Sequence, residues 1–200
     1  MKDSPKALAP FGSLFSTGTI RAGKDSSVDA LTISHKPKYI VVRSSYMQMV
    51  KTMAKVLIVY HTLSGNTEKM AQAFAEGAKS IQGTEVLIKK AFDATLEDLL
   101  ECNAIAVGSA DYFSYIAGAL KDFFDRTYYP SQGKVAGKPY AAFATGGRGG
   151  ETALAVLDRL CTSFKFKKAA EGVAAVRSPS TEVLANCRDA GKKLASAAAT

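Results

Sequence analysis

The chain has 200 residues, of which 47% are hydrophobic, enough for one medium-sized domain or for a smaller domain with an extension. Its 26 Lys and Arg outnumber 18 Asp and Glu, giving a formal net charge of +8 at pH 7. Residues 1–52 hold eight of the basic and three of the acidic residues, so most of the excess lies there and is weak evidence for nucleic-acid binding by the remaining chain.

The first 52 residues differ in composition from the rest. They contain Ser, Lys, Pro and Gly without sustained hydrophobic periodicity, whereas the first clear strand begins near Lys55. We therefore predict that residues 1–52 are an N-terminal extension that is disordered or lies outside the natural start, and that residues 53–200 form the folded domain. Met53 resembles a natural start.

Two further features concern the compartment. No apolar stretch approaches the roughly 20 residues that span a bilayer, and the N-terminus lacks a signal-peptide pattern. Cys102, Cys161 and Cys187 form no C-x-x-C pair, which is typical of a reducing compartment and leaves no zinc signature. We expect a cytoplasmic protein without a membrane span and without a metal site.

From Lys55 onward, predicted strands and helices alternate. Apolar runs predict strands near residues 55–60, 84–89, 104–109, 138–144 and 172–176. Apolar residues at helical spacing predict helices over 70–81, at 96–102, from about 117, at 152–163 and at 181–198. Pro130 and Gly133 mark the loop after the third helix. This alternation predicts an α/β fold, a parallel sheet with helices on both faces.

The turn between the first strand and the first helix has the chemistry to hold a phosphate. Its residues are Thr62, Leu63, Ser64, Gly65, Asn66 and Thr67. Backbone N–H groups and the helix dipole at a helix N-terminus favour a dianion. The hydroxyls of Thr62, Ser64 and Thr67 can add hydrogen bonds, and Gly65 lets the backbone come close. The expected ligand is a phosphate monoester.

Two other polar loops follow the third and fourth strands. One contains Ser109, Ala110, Asp111, Tyr112, Phe113, Ser114 and Tyr115, and the other begins with Thr145, Gly146 and Gly147. In a parallel sheet, ligands bind at the carboxyl ends of the strands near the topological switch point. We therefore expect the three loops to meet at one edge, where a single ligand could touch all of them.

These residues resemble the flavodoxin family. Residues Ile58–Thr67 match the family's phosphate loop, the family's alanine follows at Ala71, and Phe74 stands where an aliphatic residue is usual. Gly108, Ser109 and residues 117–126 are similar to the family's third strand and the helix after it. The resemblance covers residues 54–198.

The resemblance implies a five-stranded parallel sheet in the order 2-1-3-4-5 and a bound FMN. Residues 62–67 would hold the FMN phosphate, residues 109–115 the isoalloxazine, and residues 145–147 the other ring edge. Many relatives carry Pro-Thr after the serine, where this chain has Ala110 and Asp111. Tyr112 is the first choice for stacking on the ring, ahead of Phe113 and Tyr115, since aromatic faces pack a flavin well. Each aromatic could instead fill the seam between helix and sheet.

Three charged or titratable residues have two interpretations each. Asp111 is either an exposed cap or a neighbour of the flavin pyrimidine edge, where its charge would lower the flavin potential. His61 either contacts the ligand or makes a structural hydrogen bond. Arg148 either reaches a phosphate of FMN or of a nicotinamide cofactor, or is a solvated loop charge.

Other phosphate-binding and catalytic patterns fit poorly. The Walker pattern and G-x-G-x-x-G are missing, as is the hydrolase pattern G-x-S-x-G. A response-regulator receiver needs an acidic pocket at the ends of the first and third strands, and Asp111 alone cannot supply one.

The sequence therefore predicts an FMN-binding redox protein that transfers electrons through the flavin, with no side chain required as a catalytic acid or base. The alternative is an NAD(P)H-dependent FMN oxidoreductase acting on a quinone or similar acceptor. A third possibility is an interaction module that binds no flavin. Electron carriers of the family are usually strongly acidic, whereas residues 53–200 carry 18 basic and 15 acidic residues. This difference favours the oxidoreductase. Expected partners are a redox protein, or NAD(P)H and a small acceptor, with the chain a monomer or homodimer.

Overall fold

A computed structural model describes residues 53–199 of the chain. The predicted extension, residues 1–52, lies outside this part. Within it the strands are β1 Ala54–Tyr60, β2 Thr84–Lys90, β3 Ala104–Tyr112, β4 Tyr115–Ile116, β5 Pro139–Gly146, β6 Lys167–Lys168 and β7 Val173–Val176. The helices are α1 Asn66–Lys79, α2 Leu96–Glu101, α3 Gly118–Ser131, α4 Glu151–Ser163 and α5 Thr181–Ala198.

The five long strands form a parallel sheet in the order β2-β1-β3-β5-β7. This confirms the predicted α/β fold and its strand order. The two-residue strands are additions: β6 pairs with the start of β5, and β4 runs antiparallel to the end of β3. The carboxyl ends of β1, β3 and β5 therefore lie side by side, as expected.

Helices cover both faces of the sheet because the strands carry apolar side chains on both faces. One core cluster lies between the sheet and helices α1 and α5, and includes Phe74, Phe143 and Leu194. The other lies under α2, α3 and α4, and includes Leu99, Phe123 and Leu157. Among the helices of residues 53–199, none has both the length and the apolar character needed to cross a membrane.

Several element boundaries differ from the prediction. Strand β5 ends at Gly146 instead of residue 144, so Thr145 and Gly146, which were expected in the following loop, belong to the strand. Pro130, placed in a loop by the sequence, lies in the last turn of α3, where a proline forfeits one backbone hydrogen bond and the helix ends a residue later. Strand β3 continues three residues past Ser109, because Asp111 and Tyr112 pair with Ile116 and Tyr115 of β4. The expected loop is thus mostly a β-hairpin.

Candidate functional site

Residues 61–65 form a tight turn between β1 and α1. Gly65 is the N-cap of α1 and adopts φ 81°, ψ −6°, a left-handed conformation that glycine accepts without strain. Its N–H donates to Thr62 Oγ1 at 2.9 Å. The chain thus reverses within five residues, and Leu63 and Ser64 are exposed at the tip.

The N-terminus of α1 is open at this turn. Within residues 53–199, no side chain caps it, whereas Thr95 caps α2 and Ser180 caps α5. The first amides of a helix have no partner inside the helix, so those at the start of α1 can bind another acceptor. The positive end of the helix dipole makes an anion the favoured one.

Thr67, in the first turn of α1, is fully buried. Its Oγ1 lies 2.9 Å from Thr145 Oγ1, at the end of β5. The two threonines were each predicted to contact the ligand, and the structure brings them together. Their contact joins the start of α1, next to the turn after β1, to the end of β5.

The segment after β3 is a hairpin with Phe113 and Ser114 at its tip. Their φ values are 55° and 63°, and consecutive positive φ values are a feature of type I′ turns, which usually contain Asn or Gly. Phe113 is fully exposed, and Tyr115 is exposed on the return strand. Two of the three predicted stacking residues are therefore exposed to solvent, and Tyr112 is half-buried.

Tyr112 leans from this hairpin toward the turn after β1. Its ring centroid lies 6.1 Å from that of His61 in an edge-on arrangement, and the Leu63 N–H lies near its hydroxyl group. Partial burial raises the Tyr112 pKa, and the Leu63 N–H opposes that effect. The residue predicted to stack on a ring thus contacts the predicted phosphate loop.

Ser109 is fully buried at the base of the hairpin. Its Oγ accepts from the Ala117 N–H at 2.9 Å and its hydroxyl donates to the Ala110 carbonyl at 2.7 Å. The hydroxyl that the sequence assigned to a cofactor is therefore used within the protein, while direct cofactor contact by Ser109 stays a prediction.

Gly146, the last residue of β5, is tightly packed against the loop that follows it. A Cβ there would lie 1.6 Å from the Gly149 carbonyl oxygen and 3.1 Å from Asp111 Cβ, so only glycine fits. Gly147 and Arg148, by contrast, are exposed. Asp111 thus lies beside the end of β5, and its influence on a bound ring stays a prediction.

Sequence reasoning missed Arg177 at this edge. Its N–H donates to the Gly146 carbonyl at 2.7 Å, directly after Val176, the β7 partner of Gly146. The predicted strand order could have identified it, because the end of the fifth strand must lie beside the end of the fourth.

Titratable groups surround the turn after β1. Burial, and then the charge of Lys90, lowers the pKa of His61, which favours its neutral form. The Tyr60 hydroxyl donates to Glu68 Oε1 at 2.7 Å, and burial followed by this carboxylate raises the Tyr60 pKa to about 12. The sequence analysis did not identify Glu68 or Lys90 as residues near this turn. Glu68 lies in the first turn of α1, and Lys90 is the last residue of β2.

The described residues hold no cluster of ligating side chains that suits a metal ion. Cys102, Cys161 and Cys187 are free and buried, and burial raises the pKa of each thiol. The site is therefore built from hydroxyls, backbone amides, aromatic rings and a few charges.

Comparisons with known proteins agree with this geometry. The family profile described as Flavodoxin matches residues 58–191. A flavodoxin of Aquifex aeolicus (strain VF5) is 41% identical over 115 residues, a segment that covers 57% of this chain and 62% of that protein. The chain thus spans less than two thirds of this curated relative.

Solved structures match over a larger share of their length. The structure of a flavodoxin from the domain Archaea is 28% identical, with a TM-score of 0.64 over 72% of this chain and 98% of the other. The two-electron reduced flavodoxin of Megasphaera elsdenii is 22% identical, with a TM-score of 0.61 over 70% and 98%, and supports the fold alone.

Proposed function

The chain belongs to the flavodoxin family, and on this basis we propose that it binds FMN and carries electrons through the bound flavin between redox partners. The observation that carries the proposal is the meeting of three loops at one sheet edge. The buried Thr67–Thr145 contact joins two of them, and the edge-on contact between the rings of His61 and Tyr112 joins the third.

The start of α1 fits the phosphate of FMN. It offers amides without a side-chain cap, a glycine in the left-handed conformation and the hydroxyls of Thr62 and Ser64. Phosphate groups bind at such helix N-termini because N–H groups and the helix dipole favour the negative charge. In this proposal the hydrogen bond between Thr67 and Thr145 holds the start of α1 in place. Direct contact between Thr67 and the phosphate is a second role.

The hairpin and the β5 loop fit a planar ring. Tyr112, Phe113 and Tyr115 supply aromatic faces, and Gly146 and Gly147 allow close approach of the backbone. The flavin, when bound, supplies the electron-transfer chemistry, and these residues bind and orient it and exclude water. Asp111 places a carboxylate beside the ring, which disfavours added negative charge there.

A second function follows from the charge of the domain. Residues 53–200 carry 18 basic and 15 acidic residues, unlike the strongly acidic carriers of the family. Arg148 and Arg177 are both exposed, and their guanidinium groups suit a phosphate of NAD(P)H. The alternative is therefore an NAD(P)H-dependent oxidoreductase that reduces a quinone or similar acceptor. The buried free thiols suit a cytoplasmic location for either function.

One experiment tests the proposal and separates the two functions. The full chain is purified and examined for flavin absorbance and for stoichiometric release of FMN, and NADPH or NADH is then added anaerobically. A carrier retains its flavin absorbance until a reductase is added, whereas an oxidoreductase is bleached by the nucleotide alone. Failure to bind FMN, even when FMN is supplied in excess, would reject the proposal.

A further inference from the structure

A single buried hydroxyl joins the two ends of the hairpin. Ser109 Oγ accepts from the Ala117 N–H at 2.9 Å, and its hydroxyl donates to the Ala110 carbonyl at 2.7 Å. Neither Ser109 nor Ala117 is more than 1% exposed. Residues 110–116 lie between these two positions, so the hairpin is closed at its base by one side chain.

Ile116 of the hairpin is buried in the core under α2, α3 and α4, but the pairing within the hairpin itself is short. Its ladder consists of two residue pairs, Asp111 with Ile116 and Tyr112 with Tyr115. Phe113 and Ser114 at its tip hold positive φ values that are uncommon for residues with a side chain, and both are exposed. A short ladder and a strained turn do not fix a hairpin, which makes the contact at its base important.

The position of the hairpin determines the geometry of the rest of the site. The Tyr112 ring lies edge-on to that of His61 in the turn after β1, with the two ring centroids 6.1 Å apart. Asp111 lies next to Gly146, the last residue of β5. A Cβ added at Gly146 would be 3.1 Å from Asp111 Cβ. A displaced hairpin would therefore move an aromatic ring and a carboxylate relative to both other loops.

We propose that Ser109 is a positioning residue, whose hydroxyl holds the hairpin so that Tyr112 and Asp111 keep their places at the flavin site. The proposal rests on the FMN function proposed above. Ser109 acts through the backbone of Ala117 and Ala110 and needs no contact with the flavin itself.

The test replaces Ser109 by alanine in the full chain, with Ser131→Ala as the matched control. Ser131 is equally buried and donates to a backbone carbonyl, but lies at the far end of α3. Hydrogen exchange of residues 111–117 is measured without flavin, followed by the FMN dissociation constant and the flavin midpoint potential.

Ser109→Ala is expected to accelerate exchange at Ile116 and Ala117 and to weaken FMN binding, each by about tenfold, since a buried N–H loses its acceptor. The midpoint potential is expected to shift, because displacement of Asp111 and Tyr112 changes the relative affinities for oxidised and reduced flavin. Ser131→Ala is expected to change none of these. Ser109→Thr, which keeps the hydroxyl, is expected to restore slow exchange and the wild-type potential.

The two parts of the account can fail separately. Unchanged exchange in Ser109→Ala would overturn the positioning role whether or not FMN binds, and faster exchange with unchanged FMN affinity and potential would overturn it as well. Absence of FMN binding by the wild-type chain would instead reject the proposed function. Should Ser109→Ala not fold, Ser109→Cys, which keeps the side-chain size and weakens both hydrogen bonds, serves in the same comparison.

Discussion

The side-chain oxygens of Thr67 and Thr145 lie 2.9 Å apart, although 78 positions separate the two residues in the chain. Thr67 is fully buried and Thr145 is 5% exposed. Each hydroxyl therefore satisfies the other in a place that solvent barely reaches. The contact links the proposed phosphate site to the loop proposed to hold the ring.

Thr145→Val should weaken both folding and FMN binding. It leaves the Thr67 hydroxyl buried without this partner, which costs about 1–3 kcal/mol of folding free energy. Denaturant unfolding and FMN titration measure the two effects. The control is Thr127→Val, which removes a buried hydroxyl that bonds within α3 at 2.6 Å and should reduce stability alone. Equal losses of FMN affinity in both variants would contradict the link.

Gly65→Ala should weaken FMN binding through the phosphate. A Cβ at Gly65 meets no atom within 4 Å, so the cost comes from the φ of 81°, about 1 kcal/mol for an alanine. Gly118→Ala, which also has open space but no positive φ, is the control. Titrations with FMN and with riboflavin, which lacks the phosphate, should show a loss for FMN alone. Equal losses for the two ligands would show that Gly65 does not serve the phosphate.

Gly146→Ala should disrupt the β5 loop far more than Gly147→Ala. The new methyl group would lie 1.6 Å from the Gly149 carbonyl oxygen, whereas one at Gly147 meets nothing within 4 Å. We expect Gly146→Ala to lose at least about 1–3 kcal/mol of stability, as overpacked sites do, and to bind both FMN and riboflavin weakly. Similar flavin affinities in the two variants would contradict the assignment of this loop to the ring.

The sequence was sufficient for the architecture because continuous apolar strands and short connections admit few other folds. The apolar run of β1 and the helical spacing of Met70, Phe74 and Ala78 correspond to buried residues in the structure. The turn at Gly65 was also predictable, since glycine and hydroxyl residues between a strand and a helix favour such a turn.

The hairpin could not be predicted from local sequence. Phe113 and Ser114 are poor residues for a type I′ turn, and tertiary contacts at Ser109 and Tyr112 support it instead. The Thr67–Thr145 and Arg177–Gly146 contacts join residues far apart in the chain, so they depend on strand register. The sequence placed Pro130 in a loop because proline disrupts helices. A proline predicts a helix end only to within a few residues, and here the helix continues to Ser131.

Replacing the hairpin tip with Asn-Gly should stabilise the protein. The double variant F113N/S114G supplies residues that adopt positive φ at lower cost, and we expect a gain of about 1 kcal/mol in unfolding free energy. Chemical denaturation measures the gain. A loss of stability would show that the Phe113 side chain contributes contacts that outweigh the strain.

Asp98 should make stability depend on pH in the acid range. Burial raises its pKa, but the hydrogen bonds from Lys89 and Thr95 outweigh burial, and the pKa falls below its ordinary value of 3.8. A lowered folded-state pKa contributes stability that is fully present above pH 4 or so and is lost as the pH falls through the folded value. Asp98→Asn should flatten the stability profile below about pH 4.

Asp122→Asn is the control for that experiment, because Asp122 forms an exposed ion pair with Arg126 one helical turn away. Exposed pairs of this kind contribute little. An acid-range profile that changes as much in Asp122→Asn as in Asp98→Asn would contradict the role assigned to the partly buried Lys89–Asp98 pair.

The most direct test of the central claim is a titration of the flavin-free full chain with FMN and, separately, with riboflavin, followed by quenching of flavin fluorescence. We predict one FMN per chain and a clearly weaker affinity for riboflavin, because only FMN places a phosphate at the start of α1. The absence of FMN binding, or equal affinities for the two flavins, would contradict the account.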